Sequence, residues 1–149
     1  MAGKDIKIFL DSNVILSGLF SERGAPRLIL DLLSLGLPRF QGLTGRYNLI
    51  EIERNIKKKM PQVWTFYEKF FLKLNFKIVP IPSLEEIKAF QGHIAEKDVP
   101  VLASAFRGKA DFLVTGDRKD FQGLKGKDYP FKIVSPSEFL GEVLHLLQG

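Results

Sequence analysis

The sequence predicts an α/β fold built on a parallel sheet of about five strands, and three observations predict it. Apolar runs of strand length alternate with helical patterns along the whole chain. The first run, Ile6–Leu10, is almost continuously apolar, as a parallel strand buried on both faces requires. Caps, prolines and glycines punctuate the chain between the runs. Strands alternating with helices imply right-handed crossovers, with helical layers on both faces of the sheet.

The elements follow in order. Residues 14–20 carry a helical pattern, and a second runs from 26 to about 35, where Gly36 stops it. Residues 39–43 fit a short second strand. Thr44 is placed to cap the next helix, whose Leu49, Ile52, Ile56 and Met60 recur at spacings of three and four. Pro61 suits a first helical position, and 63–74 reads as an apolar, aromatic-rich helix. Its Trp64, Phe66, Tyr67, Phe70 and Phe71 cover nearly every side, which favours core or a subunit interface over base stacking. Lys77–Val79 is the third strand, closed by Pro80 and Pro82. Ser83 and Glu86 form a capping box for the helix that follows. Asp98 precedes Val99 and Pro100, so it lies in the N-cap region of a helix over 101–106. Residues 111–115 and 131–134 are the fourth and fifth strands. Ser135 and Glu138 form a second capping box, opening a last helix to about Leu147.

Composition narrows the chemistry. A chain of 149 residues without repeats or linkers is expected to form one domain, 1–149. No apolar stretch is long enough to span a bilayer and the first residues lack a leader pattern, so the expected location is cytoplasmic. The absence of cysteine excludes disulfides, thiolate metal sites and cysteine nucleophiles. His93 and His145 both lie on amphipathic helical patterns and read as surface residues. Any bound metal must therefore be hard and oxygen-liking. The net charge is +5, with basic clusters at 54–59 and 118–127, and distributed Lys and Arg favour a polyanionic partner.

Against that basic background stand acids at the strand ends. Asp11 directly follows the first strand, Asp117 follows the fourth, and Asp98 opens a helix. Each has a local alternative: helix capping for Asp11 and Asp98, an Asx-turn for Asp117. In a parallel sheet, however, strand ends and following helix starts share one edge, where open α/β sheets bind ligands. With Glu51 from the 49–60 helix they form an acidic pocket suited to Mg²⁺ or Mn²⁺ and phosphodiester cleavage. A divalent ion would offset the repulsion that gathering such acids creates. Asn13 and Thr115 can supply neutral oxygens beside them, or simply serve helix-start and strand-end hydrogen bonding.

The segments IFLDSNVILSGLF, Thr44 through Glu51-Ile52 to Ile56, KDVPVLASA and ADFLVTGDRKDF together resemble the successive motifs of PIN-domain nucleases. The nearest group is the VapC-like toxins, and within it those with a TGD-type fourth motif. The resemblance implies a three-layer α/β/α sandwich with a five-stranded parallel sheet. It implies a Mg²⁺- or Mn²⁺-dependent endoribonuclease, often a homodimer, that leaves 5′-phosphate and 3′-hydroxyl ends. It also implies a toxin of a toxin-antitoxin pair, held by an antitoxin protein. Carried over motif by motif, the metal-binding and catalytic acids are Asp11, Glu51, Asp98 and Asp117, with Asp120 an auxiliary or a surface-loop residue. A helical wheel puts Glu53 nearer the apolar stripe than Glu51, whereas the family pattern selects Glu51; Glu53 is the reserve.

Rival chemistries fit less well. A haloacid-dehalogenase-type phosphatase needs a second Asp where this chain has Asn13, and a receiver domain needs an adjacent acid pair at the first strand. No glycine fingerprint for a dinucleotide or P-loop follows that strand. The remaining alternative is a PIN fold that binds RNA or protein without catalysis.

Overall fold

The computed structural model describes residues 5–117, 121, 123–124 and 128–148. In chain order the elements are β1 (Ile6–Leu10), α1 (Ser12–Phe20), α2 (Ala25–Ser34), β2 (Phe40–Gly45) and α3 (Arg46–Lys59). A 3-10 turn (Pro61–Val63) leads to α4 (Trp64–Leu74), β3 (Lys77–Val79) and α5 (Leu84–Phe90). A second such turn (Glu96–Asp98) leads to α6 (Val99–Arg107), β4 (Phe112–Val114), β5 (Lys132–Val134) and α7 (Pro136–Gln148). The five strands form one all-parallel sheet in the order β3-β2-β1-β4-β5.

Strand alternation makes the three layers. Ile8 and Leu10 face one way and pack with residues of α1, α2, α3, α4 and α7, while Phe9 faces the other and packs with α5 and α6. None of the three exposes any surface, so each burial stabilises the fold by roughly 1.5–3 kcal/mol. Strand β1 thus sits at the centre with helices over both faces, as its nearly continuous apolar run predicts.

The order of the strands fixes where a ligand can bind. The chain builds outward from β1 through β2 to β3, then returns to the other side of β1 for β4 and β5. Strand order therefore reverses between β1 and β4, and the loops after those two strands diverge to leave a crevice at the carboxyl edge. Register keeps the two ends level, with Leu10 beside Val114.

The expected elements are all present, with shifted ends. The helix expected at 101–106 begins earlier, at Val99, with Pro100 in its first turn. Both capping boxes form: Ser83 with Glu86, and Ser135 with Glu138 through reciprocal bonds of 2.8 and 3.1 Å. Thr44 is a correction. It is the penultimate residue of β2, not a cap, and its hydroxyl donates to the Leu10 carbonyl at 3.0 Å; Gly45 holds the N-cap position of α3 without a side-chain bond. A threonine at a strand end satisfies the neighbouring strand's carbonyl as readily as a helix amide. In α4 the aromatic residues divide: Tyr67 is buried, Phe66 is exposed, and Trp64, Phe70 and Phe71 lie partly buried against the core. His93 and His145 are both exposed. No helix among the described residues is long and apolar enough to cross a membrane. Asp120 and every basic residue of the 118–127 cluster lie outside the described residues.

Candidate active site

Four carboxylates from four separate elements line one cleft of about 240 Å³ at the carboxyl edge of the sheet: Asp11, Glu51, Asp98 and Asp117. Asp11 ends β1 and caps α1; Asp117 follows β4; Asp98 holds the N-cap position of α6 without a side-chain capping bond; Glu51 projects from the second turn of α3. Asp11 is buried, Asp98 and Asp117 half-buried, and Glu51 exposed, so the acids grade from floor to rim. Glu53 lies elsewhere. Its carboxylate accepts a hydrogen bond from the Tyr67 hydroxyl at 3.2 Å, on the α4 side of α3.

Asp11 is the most constrained of the four. Oδ1 accepts from the Ser12 amide at 2.7 Å and from Asn48 Nδ2 at 3.2 Å, and Oδ2 accepts from Thr115 Oγ1 at 2.8 Å. A carboxylate offers about four lone-pair positions, so about one on Oδ2 remains open. Burial pushes the Asp11 carboxyl up from 3.8 to about 6; the Thr115 and Ser12 bonds oppose that rise, and the Glu51 and Asp117 charges add to it. The side chain that caps α1 is thus also the one that forms the floor of the cleft.

The loop after β4 is stitched to the start of α1. Thr115 Oγ1 donates to Asp11 and accepts from the Asp117 amide at 3.1 Å, while the Gly116 amide donates to Asn13 Oδ1 at 3.0 Å. Asn13 and Thr115 therefore orient the acids: one clamps the turn, the other bridges Asp11 to the backbone of Asp117.

Asn48, Ser12, Tyr47, Asn55 and Lys97 went unnoticed in the sequence. Asn48 has no exposed surface, and its Nδ2 reaches both Asp11 and, at 2.8 Å, Ser12 Oγ. The signal was present: an asparagine beside the Leu49–Ile52–Ile56 stripe and one turn before Glu51. Tyr47 donates to the Lys97 carbonyl at 3.3 Å. Burial, then the Glu51, Asp98 and Asp11 charges, push its phenol above the ordinary value, so it stays a neutral donor beside the acids.

A family model described as PIN domain matches residues 7–119. The chain belongs to the PIN-domain family. Its fold is also similar to that of solved structures, among them VapBC2 of Rickettsia felis bound to a promoter DNA fragment (TM-score 0.63, 15% identity, 87% of this chain and 98% of that one). A DNA-bound VapBC of Salmonella typhimurium gives 0.65 at 13% identity over 88% and 98%. A toxin-antitoxin complex of Klebsiella pneumoniae gives 0.59 at 24% identity over 85% and 99%. No curated protein sequence matches the chain.

The donor set of this PIN domain suits a hard divalent cation. Among the described residues its acids offer only oxygen, no histidine lines the cleft, and the buried Asp11 keeps a lone pair available. Among the described residues no three Asp, Glu or His side chains stand close enough to form a closed cage. Binding would thus require side-chain rotation, chiefly of the exposed Glu51.

One prediction arises at the floor of the cleft. A Cβ at Gly45 would stand 2.8 Å from Asn48 Oδ1 and 3.1 Å from Ser104 Oγ, both on buried side chains. Gly45→Ala is expected to destabilise the fold by about 1–3 kcal/mol in urea unfolding, by displacing Asn48 from Asp11. An alanine variant as stable as the parent would show that Asn48 moves aside freely.

Proposed function

We infer that this chain is a metal-dependent endoribonuclease, the toxin of a VapBC-type toxin-antitoxin pair. The observation that carries the reading is the convergence of Asp11, Glu51, Asp98 and Asp117 on one cleft at the point where strand order reverses. A basic chain around an acidic pocket supports it: the body attracts the nucleic-acid backbone, and the pocket retains the cation. The likeness of fold to VapBC complexes supports an antitoxin partner for this chain. The substrate class, RNA, rests on the family.

Asp11, Glu51, Asp98 and Asp117 would hold Mg²⁺ or Mn²⁺. When bound, the ion supplies Lewis-acid polarisation of the scissile phosphate and acidifies an attacking water. Asp11 would offer its remaining Oδ2 lone pair in the ionised form, with Thr115 and Asn48 holding this one carboxylate in place while Glu51 rotates toward the cation. Asn13 holds the turn that carries Asp117. Tyr47, protonated and half-buried, offers an aromatic face at the cleft wall. Cleavage by water would leave 5′-phosphate and 3′-hydroxyl ends.

A second reading, a PIN fold that binds without cutting, is favoured by the lack of a closed acid cage among the described residues. A Mn²⁺ titration followed by thermal unfolding separates the two. Metal that binds only the native state stabilises it by about 2.7 kcal/mol at 100 times its Kd. A rise in Tm with Mn²⁺, together with metal-stimulated cleavage of RNA, is the expected result. No rise at millimolar Mn²⁺, with or without RNA, selects the binding module.

A further inference from the structure

Helix α3 presents three faces, and the acidic cleft uses only one of them. Leu49, Ile52 and Ile56 form the buried face; Glu51 and Asn55 face the cleft. Arg54, Lys57 and Lys58 line a separate groove, about 500 Å³, with Ile50 and Glu53. At 100° per residue, Arg54 and Lys58 lie about one and two turns beyond Glu51 and within about 60° of it around the helix, so the groove adjoins the cleft. The two are neighbouring stripes of one surface.

The groove's charge is left open by the contacts around it. Glu53, the one acid lining it among the described residues, accepts from the Tyr67 hydroxyl and offsets one of the groove's three positive charges. Among the described residues no carboxylate lies within ion-pair distance of Arg54, Lys57 or Lys58. Lys57 instead rests its ammonium over the Trp64 ring, 4.6 Å from the centroid. A neutral ring positions that cation without cancelling its charge. Lysines in a helix's last turn also complement the helix dipole, but that needs no groove and no aromatic support.

We propose that this groove is a second binding site, which takes the sugar-phosphate backbone of the RNA strand beside the bond being cut. The proposal rests on the nuclease reading and deepens it. Glu51 and Lys58 are seven residues apart, about 10 Å of helix, the reach of a short stretch of extended backbone. A cleft rich in carboxylates repels a polyanion, so affinity must come from outside it. Three adjacent cations on the same helix supply that attraction and aim the strand at the acids. Ile50, exposed among them, offers apolar contact to a sugar or base. The arrangement is the charged track of a single-strand binder, with Tyr47 as the neighbouring aromatic.

The test measures binding of a labelled single-stranded RNA oligonucleotide by fluorescence anisotropy across a salt series. The Asp11→Asn chain is used throughout so that the RNA stays intact. A groove variant, Arg54→Gln with Lys57→Gln and Lys58→Gln, is compared with a control carrying Lys73→Gln, Lys77→Gln and Lys109→Gln. The control lysines are exposed, at the amino edge of the sheet. Each lost phosphate contact lowers the salt slope by about 0.7, so the groove variant should lose about 2 in slope and bind about 10-fold more weakly near 0.1 M salt. The control should change neither by a comparable amount. Equal losses in both variants, or an unchanged slope in the groove variant while its parent binds RNA, would overturn the groove. A poly-glutamate peptide that competes as well as RNA of equal charge would overturn the assignment to RNA. If the parent fails to bind RNA even at low salt, the nuclease reading fails and takes the groove with it.

Discussion

Asp11→Asn is expected to abolish metal-stimulated cleavage of RNA and, at pH 7 without metal, to make the protein more stable than its parent. Both effects have one cause. The Asp11 carboxylate is buried, faces the Glu51 and Asp117 charges, and is held ionised at neutral pH against its burial. An amide keeps the shape and removes the charge. It still accepts from the Ser12 amide and Asn48 Nδ2 through its carbonyl oxygen. Its amino group faces Thr115 Oγ1, which now donates to Asp11 and must instead accept, at a cost of about 1 kcal/mol. Loss of the proposed cation ligand is expected to be the larger consequence for activity. Metal polarisation is worth several kcal/mol in the transition state, so cleavage should fall on the order of 100-fold or more. The checks are gel-resolved RNA cleavage in Mn²⁺ and urea unfolding in EDTA. A variant that cuts as fast as its parent removes the nuclease proposal. One that loses activity only because it unfolds shows Asp11 to be structural.

A stabilised, inactive variant would separate site from scaffold at a residue where sequence reasoning held the two as rivals. Asp11 is at once the cap of α1, through the Ser12 amide, and the floor of the cleft. Sequence shows the acid, its position after an apolar strand and its helix. It does not show that desolvation dominates its titration, because that depends on Val114, Thr115 and Asn48 arriving from distant positions.

Periodicity carried the fold further than it carried the site. The nearly continuous apolar run of β1 and the two serine–glutamate boxes are local signals, and each appears where it was expected. Thr44 failed for a tertiary reason. Its hydroxyl had two partners available, the helix amides ahead or the carbonyl of β1 beside it, and only strand pairing decides between them. Glu51 and Glu53 differ by about 200° around α3, so one had to leave the cleft. A wheel centred on the apolar stripe cannot say which flank meets α4 and which meets β1. Tyr67, reaching Glu53 from α4, settles the flank. Asn48 was missed because a single asparagine among apolar neighbours reads as a boundary residue until its partner across the cleft is known.

The pH dependence of the metal-free protein tests the same carboxyl without reference to catalysis. The Asp11 carboxyl is raised from 3.8 in the unfolded chain to about 6 in the fold, chiefly by burial. Below about pH 4 it is protonated in both states and costs nothing. Between about 4 and 6 the folded chain holds a proton that the unfolded chain has released, so stability falls as pH rises. Above about 6 both states are ionised and the full penalty stands, about 3 kcal/mol from the ratio of the two acid constants. Other acids titrate in the same range, so the quantity to measure is the difference between parent and Asp11→Asn. That difference should move by about 3 kcal/mol in favour of the variant between pH 4 and pH 7, in EDTA. Saturating Mn²⁺ should flatten the slope for the parent alone, because the cation requires the ionised form and binds about tenfold more tightly for each pH unit between about 4 and 6, which offsets the loss. A parent-minus-variant difference that stays flat from pH 4 to 7 would mean Asp11 titrates as an ordinary surface acid. The enclosed, cation-ready carboxylate on which the site depends would then be absent.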